Sequence, residues 1–373
     1  MIFYLTYNDL PSGIFSSQVI DVVKFLNDEI KSNVKLVSFI SSRNFFNNRS
    51  KIKTEYPQAI VLPMFPGVHR WKYNTFLLGL LVFFKRPHTV IGRSVLATQL
   101  ALKLKKKGKV RSVIYDGRGA IMAEWKEYGV ITNTSMLNDI FELEKEVVTQ
   151  SDYRIAVSNQ LINYWQETFH YVSDKHVVIP CTLNKIFEEI NILDSSSIEL
   201  RKQLGLSNTD TVFIYSGSVA GWQSFGLLYD FIVPVLRLNA THRIIFLSDQ
   251  DENIQRLKEE FNSQVFCEKV MQHEVAKYLL ASNYALLIRE ESITNKVASP
   301  VKFAEYITCG LPVIISKKLG DYSDFVIQNK CGYLTDGFHI EAIDKKYLNK
   351  IGIDNFAKKQ FLQSYSKLLN LNE

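Results

Sequence analysis

The 373-residue chain predicts an α/β protein with two doubly wound parallel-sheet domains facing a cleft. Three observations predict this class. The length exceeds what one hydrophobic core usually serves, so two domains are expected. Short apolar runs alternate with helical stretches, the pattern of a parallel sheet covered on both faces. The alternation then stops in a polar segment, 184–210, and begins again. A chain that is 46% apolar and 22% charged is neither disordered nor a coiled coil.

In chain order, the first sheet takes its strands from residues 2–7, 34–40, 59–63, 89–93, 112–115, 153–157 and 176–180, with helices at 17–29, 96–107 and 139–149. The second takes 211–215, 242–247, 264–267, 283–288 and 312–316. The expected division is 1–182, an acceptor-side domain; 183–354, a second domain; and 355–373, a helix that packs back on the first. Residues 2–7 are too short and lack the basic flank of a signal peptide. The apolar run 76–84 is too short to cross a bilayer, which takes about 20 residues. It lies within the basic, aromatic stretch 66–86, which reads as a buried helix or, with Arg70, Lys72, Lys85, Arg86 and Trp71 at its flanks, as a membrane-surface helix.

In open parallel sheets ligands sit beyond the carboxyl ends of the strands, so the loops there carry the candidates. Residues 1–180 hold 23 Lys+Arg against 15 Asp+Glu, which points to an anionic partner. The four cysteines form no C-x-x-C pair, which argues against a zinc cluster or disulfide framework and fits a reducing cytoplasm. The seven histidines show no H-x-x-x-H spacing. The single D-x-D, Asp249 and Asp251, precedes a helical stretch and reads as a helix start, so no metal site and no cofactor are expected. Walker, G-x-G-x-x-G, G-x-S-x-G and RNA-binding signatures are absent, which leaves nucleic acid out of the expected partners.

The strongest signal is the stretch 289–315. Ser299 is the expected N-cap of a short helix, Pro300 its first residue, Gly310 the residue after its end, and Pro312 the stop. Val301, Phe303, Ala304 and Ile307 fall on one arc; Lys302, Glu305 and Tyr306 fall on the other. The helix start offers free N–H groups and a positive dipole end, both suited to phosphate, and Lys302 adds a charge there. Glu305, one turn on, is placed to accept from vicinal hydroxyls; the plainer alternative is a surface i,i+3 pair with Lys302. Arg289 ends a strand and is a candidate phosphate ligand, the alternative being a structural ion pair. In the first half, Asp116 and Arg118 share a two-glycine loop after a strand, with Arg118 suited to a phosphate and Asp116 to orienting it or binding an acceptor hydroxyl. Arg93 and Glu124 are acceptor-side candidates, and Gly13, Gly217 and Ser218 stand in loops that let a phosphate approach closely.

The pattern Ser299-Pro300-x-Lys302-x-x-Glu305-Tyr306-x-x-x-Gly310-x-Pro312-Val313 resembles the donor-binding signature of retaining glycosyltransferases of the GT-B fold, family four, of the bacterial surface-polysaccharide type. The likeness extends to residues 8–18, 115–119, 155–158, 178–180, 215–218 and 356–369. It implies two Rossmann-like domains and a nucleoside diphosphate sugar held mainly by the second. Glu305 would hold the ribose, the helix amides the diphosphate, and Asp116 and Arg118 would line the first domain's side. It also implies a glycan or lipid-linked acceptor, a cytoplasmic location and an inner-membrane surface as a further partner. Two departures stand out. Val297 occupies the position of the family's second glutamate, and the Arg and Lys expected after residue 217 are missing, so Arg289, Lys296 or Lys302 would neutralise the diphosphate. A sugar-nucleotide epimerase of the same fold and a non-catalytic binding subunit are the alternatives.

Overall fold

The structure, a computed structural model, describes residues 1–65, 67–130 and 134–370. The chain forms two compact units. One comprises Met1–Asn184, Val297–Ser299 and the chain from Lys358 on; the other comprises Lys185–Lys296 and Pro300–Ala357.

The first unit is a parallel sheet of seven strands: β1 (Ile2–Tyr7), β2 (Val34–Ser41), β3 (Ile60–Met64), β4 (Thr89–Arg93), β5 (Ser112–Gly117), β6 (Tyr153–Ala156) and β7 (His176–Val178), in the order β3-β2-β1-β4-β5-β6-β7. Every residue of β1 is buried. Phe3, Leu5 and Tyr7 enter the core on one face, while Ile2 and Tyr4 enter the core on the other. A strand covered on both sides has no polar face, which is why these runs read as continuously apolar. The strand order reverses between β1 and β4, the topological switch point where such sheets bind ligands.

Gly13 does not stand in an open loop. Ser12 caps a helical stretch by accepting from Phe15 N–H at 3.3 Å, and Gly13–Phe15 runs through the π-helical turn Ser16–Ile20 into Asp21–Asp28. Helix α1 (Asn74–Lys85) buries Leu78 and Val82, yet Phe76, Phe83 and Phe84 remain exposed, so the buried-helix expectation holds for one face only. Pro66 of that stretch lies outside the described residues. Helix α2 (Ser94–Lys106) packs on β4 and β5.

The second unit is a parallel sheet of six strands: β8 (Thr211–Ser216), β9 (His242–Leu247), β10 (Val265–Glu268), β11 (Tyr284–Leu287), β12 (Val313–Ile315) and β13 (Gly332–Leu334), in the order β10-β9-β8-β11-β12-β13. Strand β13 was not expected; three residues carry too little periodicity to stand out, and pairing with β12 makes the strand. The switch point lies between β8 and β11. Helix α3 (Phe225–Leu238) covers one face with Phe225, Leu228 and Ile232. On α4 (Val301–Thr308), Phe303 meets the rings of Tyr322, Phe325 and Phe356, the last from α5 (Lys345–Phe356). The final helix, α6 (Leu362–Asn370), sends Tyr365, Leu368 and Leu369 into the core of the first unit. Residues 371–373 of the expected third segment lie outside the described residues. Among the described residues, no helix is long and apolar enough to cross a membrane.

Candidate functional site

The short helix α4 forms, with a shifted start. Its N-cap is Pro300, at φ −73° and ψ 115°. Ser299 precedes the cap, and its hydroxyl accepts from Cys181 N–H at 2.8 Å. The end is a Schellman motif, with Leu311 N–H donating to Tyr306 C=O at 3.0 Å and Gly310 N–H to Ile307 C=O at 2.9 Å. Gly310 takes the required left-handed φ of +75°. Tyr306 departs from the expected polar face. It is fully buried, because its hydroxyl accepts from Ser216 N–H at 2.8 Å and donates to Ser216 C=O at 3.3 Å. The helix is thereby fastened to the end of β8.

That fastening sets Lys302 over the switch point. Its Nζ lies 4.2 Å from the centre of the Tyr215 ring and donates to Gln223 Oε1 at 3.0 Å. Arg289, just past β11, is buried and donates from Nη2 to the same oxygen at 3.0 Å and from Nη1 to Asn295 Oδ1 at 3.4 Å. Its backbone is held by Ser316, whose hydroxyl accepts from Arg289 N–H at 2.8 Å. Two cations thus converge on one neutral amide oxygen. Burial, and then Arg289, depress the Lys302 ammonium well below the usual lysine range. Glu305 is half-buried and closes no salt bridge with Lys302, so the surface-pair alternative is not what forms. Burial pushes the Glu305 carboxyl up to about 7, with Lys302 pulling the other way. Gly217 follows β8 at φ +147°, and a Cβ there would stand 2.5 Å from Lys302 Nζ. Ser218 is exposed and offers its carbonyl to Tyr215 Oη at 2.6 Å. Sequence reasoning missed Gln223 and Asn295. For Gln223 the available signal was an amide six residues beyond Gly217, within the same post-strand segment.

The first unit gathers a second cluster at its own switch point. Asp116, fully buried in β5, accepts from Tyr4 Oη at 2.5 Å and from Arg118 Nη2 at 2.8 Å, with Arg93 Nη1 at 4.0 Å. Arg93 also reaches Asp9 at 3.9 Å. Burial alone would lower Arg118, but Asp116 reverses this and holds the guanidinium firmly charged. Burial raises the Tyr4 hydroxyl and, separately, the Asp9 carboxyl. Asp116, Arg118 and Arg93 are therefore brought together, with Tyr4 and Asp9 as members the sequence did not announce.

The remaining candidates are dispersed. Lys296 is exposed on the short helix Ile293–Val297. Glu124 is half-buried on Ile121–Glu127, and burial raises its carboxyl. The amino end of that helix is capped by Glu144, fully buried, which accepts from Ile121 N–H at 3.2 Å and Met122 N–H at 2.8 Å. Val297 joins the apolar core of the first unit, and its carbonyl accepts from Ser158 Oγ at 2.7 Å; an ionised acid there would be buried in that core. Of the D-x-D pair, Asp251 caps Glu252–Phe261 by accepting from Asn253 and Ile254 N–H, while Asp249 pairs with Lys269 at 2.5 Å.

No protein-family model matches the chain, and no curated protein matches it by sequence. Its fold has clear counterparts among solved structures. HepE from Anabaena, solved in complex with UDP, superposes with a TM-score of 0.72 at 13% identity, covering 99% of each chain. A glycosyltransferase from Rickettsia africae gives 0.71 at 13% identity, covering 99% of this chain and 98% of its own. Sucrose-phosphate synthase from Thermosynechococcus elongatus gives 0.67 at 15% identity, covering 100% and 98%. At such identities the likeness concerns the fold alone. Two parallel sheets of seven and six strands, each with its switch point, have the GT-B architecture of these glycosyltransferases.

Proposed function

We propose that the chain is a glycosyltransferase moving a sugar from a nucleoside diphosphate sugar to a hydroxyl of a glycan or lipid-linked saccharide, with retention at the anomeric carbon. One observation carries the reading: Arg289 and Lys302 converge on the neutral Gln223 oxygen at the switch point of the second sheet, beside the first turn of α4. When the sugar–phosphate bond breaks, negative charge grows on the departing diphosphate. Positively charged groups held at the site stabilise that charge. In this reading the diphosphate takes over the role Gln223 plays for both cations, and Lys302 regains full charge beside it. The amides at the start of α4 add their dipole. Gly217 lets the chain pass close to the phosphates, and Glu305 accepts from the ribose hydroxyls. The proposed chemistry is metal-free, because two cations and a helix terminus supply the positive charge.

On the first unit, Asp116 is held by Tyr4 and Arg118, which suits it to fixing Arg118 and Arg93. Arg118 and Arg93 would then meet the acceptor side, with Glu124 and the segment at Gly13 near the acceptor. Lys296, Ser218 and the Ser299-Pro300 pair remain proposed donor contacts. The transferred group is proposed to be a hexose. The acceptor is proposed to be a growing surface polysaccharide or its lipid-linked precursor, met on the cytoplasmic side at the inner face of a membrane. The UDP and UDP-glucose complexes of HepE make uridine nucleotides the first donors to try.

The test is a thermal-shift series with nucleoside diphosphates and their sugars, followed by transfer assays with the donor found. Binding to the native state raises the midpoint as RT ln(1 + [L]/Kd). One diphosphate series is expected to stand out, and Glu305→Ala to abolish transfer while the fold is kept. No shift with any nucleotide would overturn the reading, and undiminished transfer by that variant would remove Glu305 from the site.

A further inference from the structure

The proposed chemistry leaves one buried acid unused. Glu144 lies on the helix Thr134–Gln150 and is fully buried where that helix packs on Ile121–Glu127. Its Oε1 accepts from Ile121 N–H at 3.2 Å and its Oε2 from Met122 N–H at 2.8 Å. These are the first two amides of Ile121–Glu127, which no carbonyl of the helix itself can reach. Ala120 holds the N-cap position and has no side-chain oxygen to offer. The buried hydroxyls of Tyr115 and Tyr164 make no hydrogen bond to any described residue, so neither competes for the carboxyl.

This is a costly way to cap a helix of seven residues. A Ser, Thr, Asp or Asn at position 120 would satisfy an open amide locally. A carboxylate taken out of water carries a desolvation penalty instead. Burial pushes the Glu144 carboxyl up to about 8, with the Met122 and Ile121 amides pulling it down and Glu124 adding to the rise. What a distant acid adds is position. A local cap travels with its helix, whereas an acid 22 and 23 residues along the chain ties that helix to another element.

Position matters because of what precedes the helix. Asp116, fully buried in β5, accepts from Arg118 Nη2 at 2.8 Å and fixes one end of the loop 117–120. Gly117 is packed tightly: a Cβ there would stand 2.6 Å from the Trp165 ring. Gly119 is not packed, with no neighbouring group within 4 Å of where its Cβ would stand, so its backbone freedom is limited only from the loop's two ends. Glu144 supplies the second end, and Glu124 follows on the same helix. We infer that Glu144 is a positioning residue: by holding the amides of Ile121 and Met122 it fixes the far end of the loop 117–120, and so sets where Arg118 and Glu124 stand for the acceptor. What Arg118 and Glu124 do there rests on the transfer reading; the anchor itself does not.

The test is Glu144→Gln in the full chain, which keeps the shape of the side chain but turns an NH2 group towards one of the two amides. Hydrogen exchange of the segment 117–128 is expected to become roughly tenfold faster, as local opening there becomes easier, while the strands of the first sheet exchange as before. Transfer is expected to fall by about 10²-fold, the cost of a misplacement on the order of 1 Å. The thermal shift with nucleoside diphosphate is expected to stay at the native size, because the proposed donor contacts lie mainly in the second unit. Adding Ala120→Ser to that variant gives the helix a local cap; it is expected to restore the slow exchange but not transfer. Unchanged exchange in Glu144→Gln, or native transfer by it, would overturn the inference. Recovery of both exchange and transfer on adding Ala120→Ser would overturn it too, since capping alone would then be the role. A native chain that transfers nothing would sink the transfer reading, whereas the exchange of 117–128 decides the anchor by itself.

Discussion

The two switch points carry cation clusters of similar make-up and opposite electrostatics. In the first unit, Arg118 and Arg93 surround the buried carboxylate of Asp116, which Tyr4 also holds. In the second, Arg289 and Lys302 share a neutral amide oxygen, Gln223 Oε1. The first cluster contains its own counter-ion, so removing that ion leaves buried charge uncompensated. The second sets both cations on a neutral oxygen and depresses the Lys302 ammonium, a state that an arriving anion relieves. Residue types alone, two cations beside a polar group, do not separate these cases; what the polar group is, and whether it carries charge, does.

Three substitutions break or sharpen that contrast. Asp116→Ala should cost the most stability, about 3–5 kcal/mol, because one partner of a buried pair is removed. Denaturant unfolding would check it, and a loss under 1 kcal/mol would mean the network is wet and loosely held. Arg289→Ala should act on rate instead. Loss of one preorganised charge donor lowers kcat by roughly 10²–10³-fold, and nucleotide should no longer raise the thermal midpoint as it does in the native chain. If kcat survived while stability collapsed, the second cluster would be structural like the first.

The smallest effect concerns pH. The Glu305 carboxyl is pushed from 4.5 up to about 7, so between those values the folded chain binds more protons than the unfolded one. Stability contributed by this group therefore falls as pH rises from 4.5 through 7, and levels off above. Glu305→Gln should remove that slope and leave the free protein slightly more stable at pH 8, while weakening nucleotide binding. Thermal midpoints at pH 5 and pH 8, with and without the substitution, would check the sign.

Much of this architecture was legible in the chain. Runs such as 2–7, 89–93 and 242–247 coincide with strands residue for residue, because a strand buried on both faces must be apolar throughout. Gly310 marked the end of α4 for an equally local reason: the chain needs a left-handed residue there. The three-residue β13 was not legible, since its identity as a strand comes from its partner β12.

The sequence by itself determined the alternation of elements, the post-strand positions of Gly217 and Arg289, and the basic excess of residues 1–180. Those properties follow from local propensity, periodicity and composition. Tertiary structure alone decided that Tyr306 is buried against Ser216, that Ser299 is occupied by Cys181, and that Gln223 joins Arg289 to Lys302. Each is a hydrogen bond between residues 66 to 118 positions apart, and no local pattern encodes which distant donor a buried acceptor will meet.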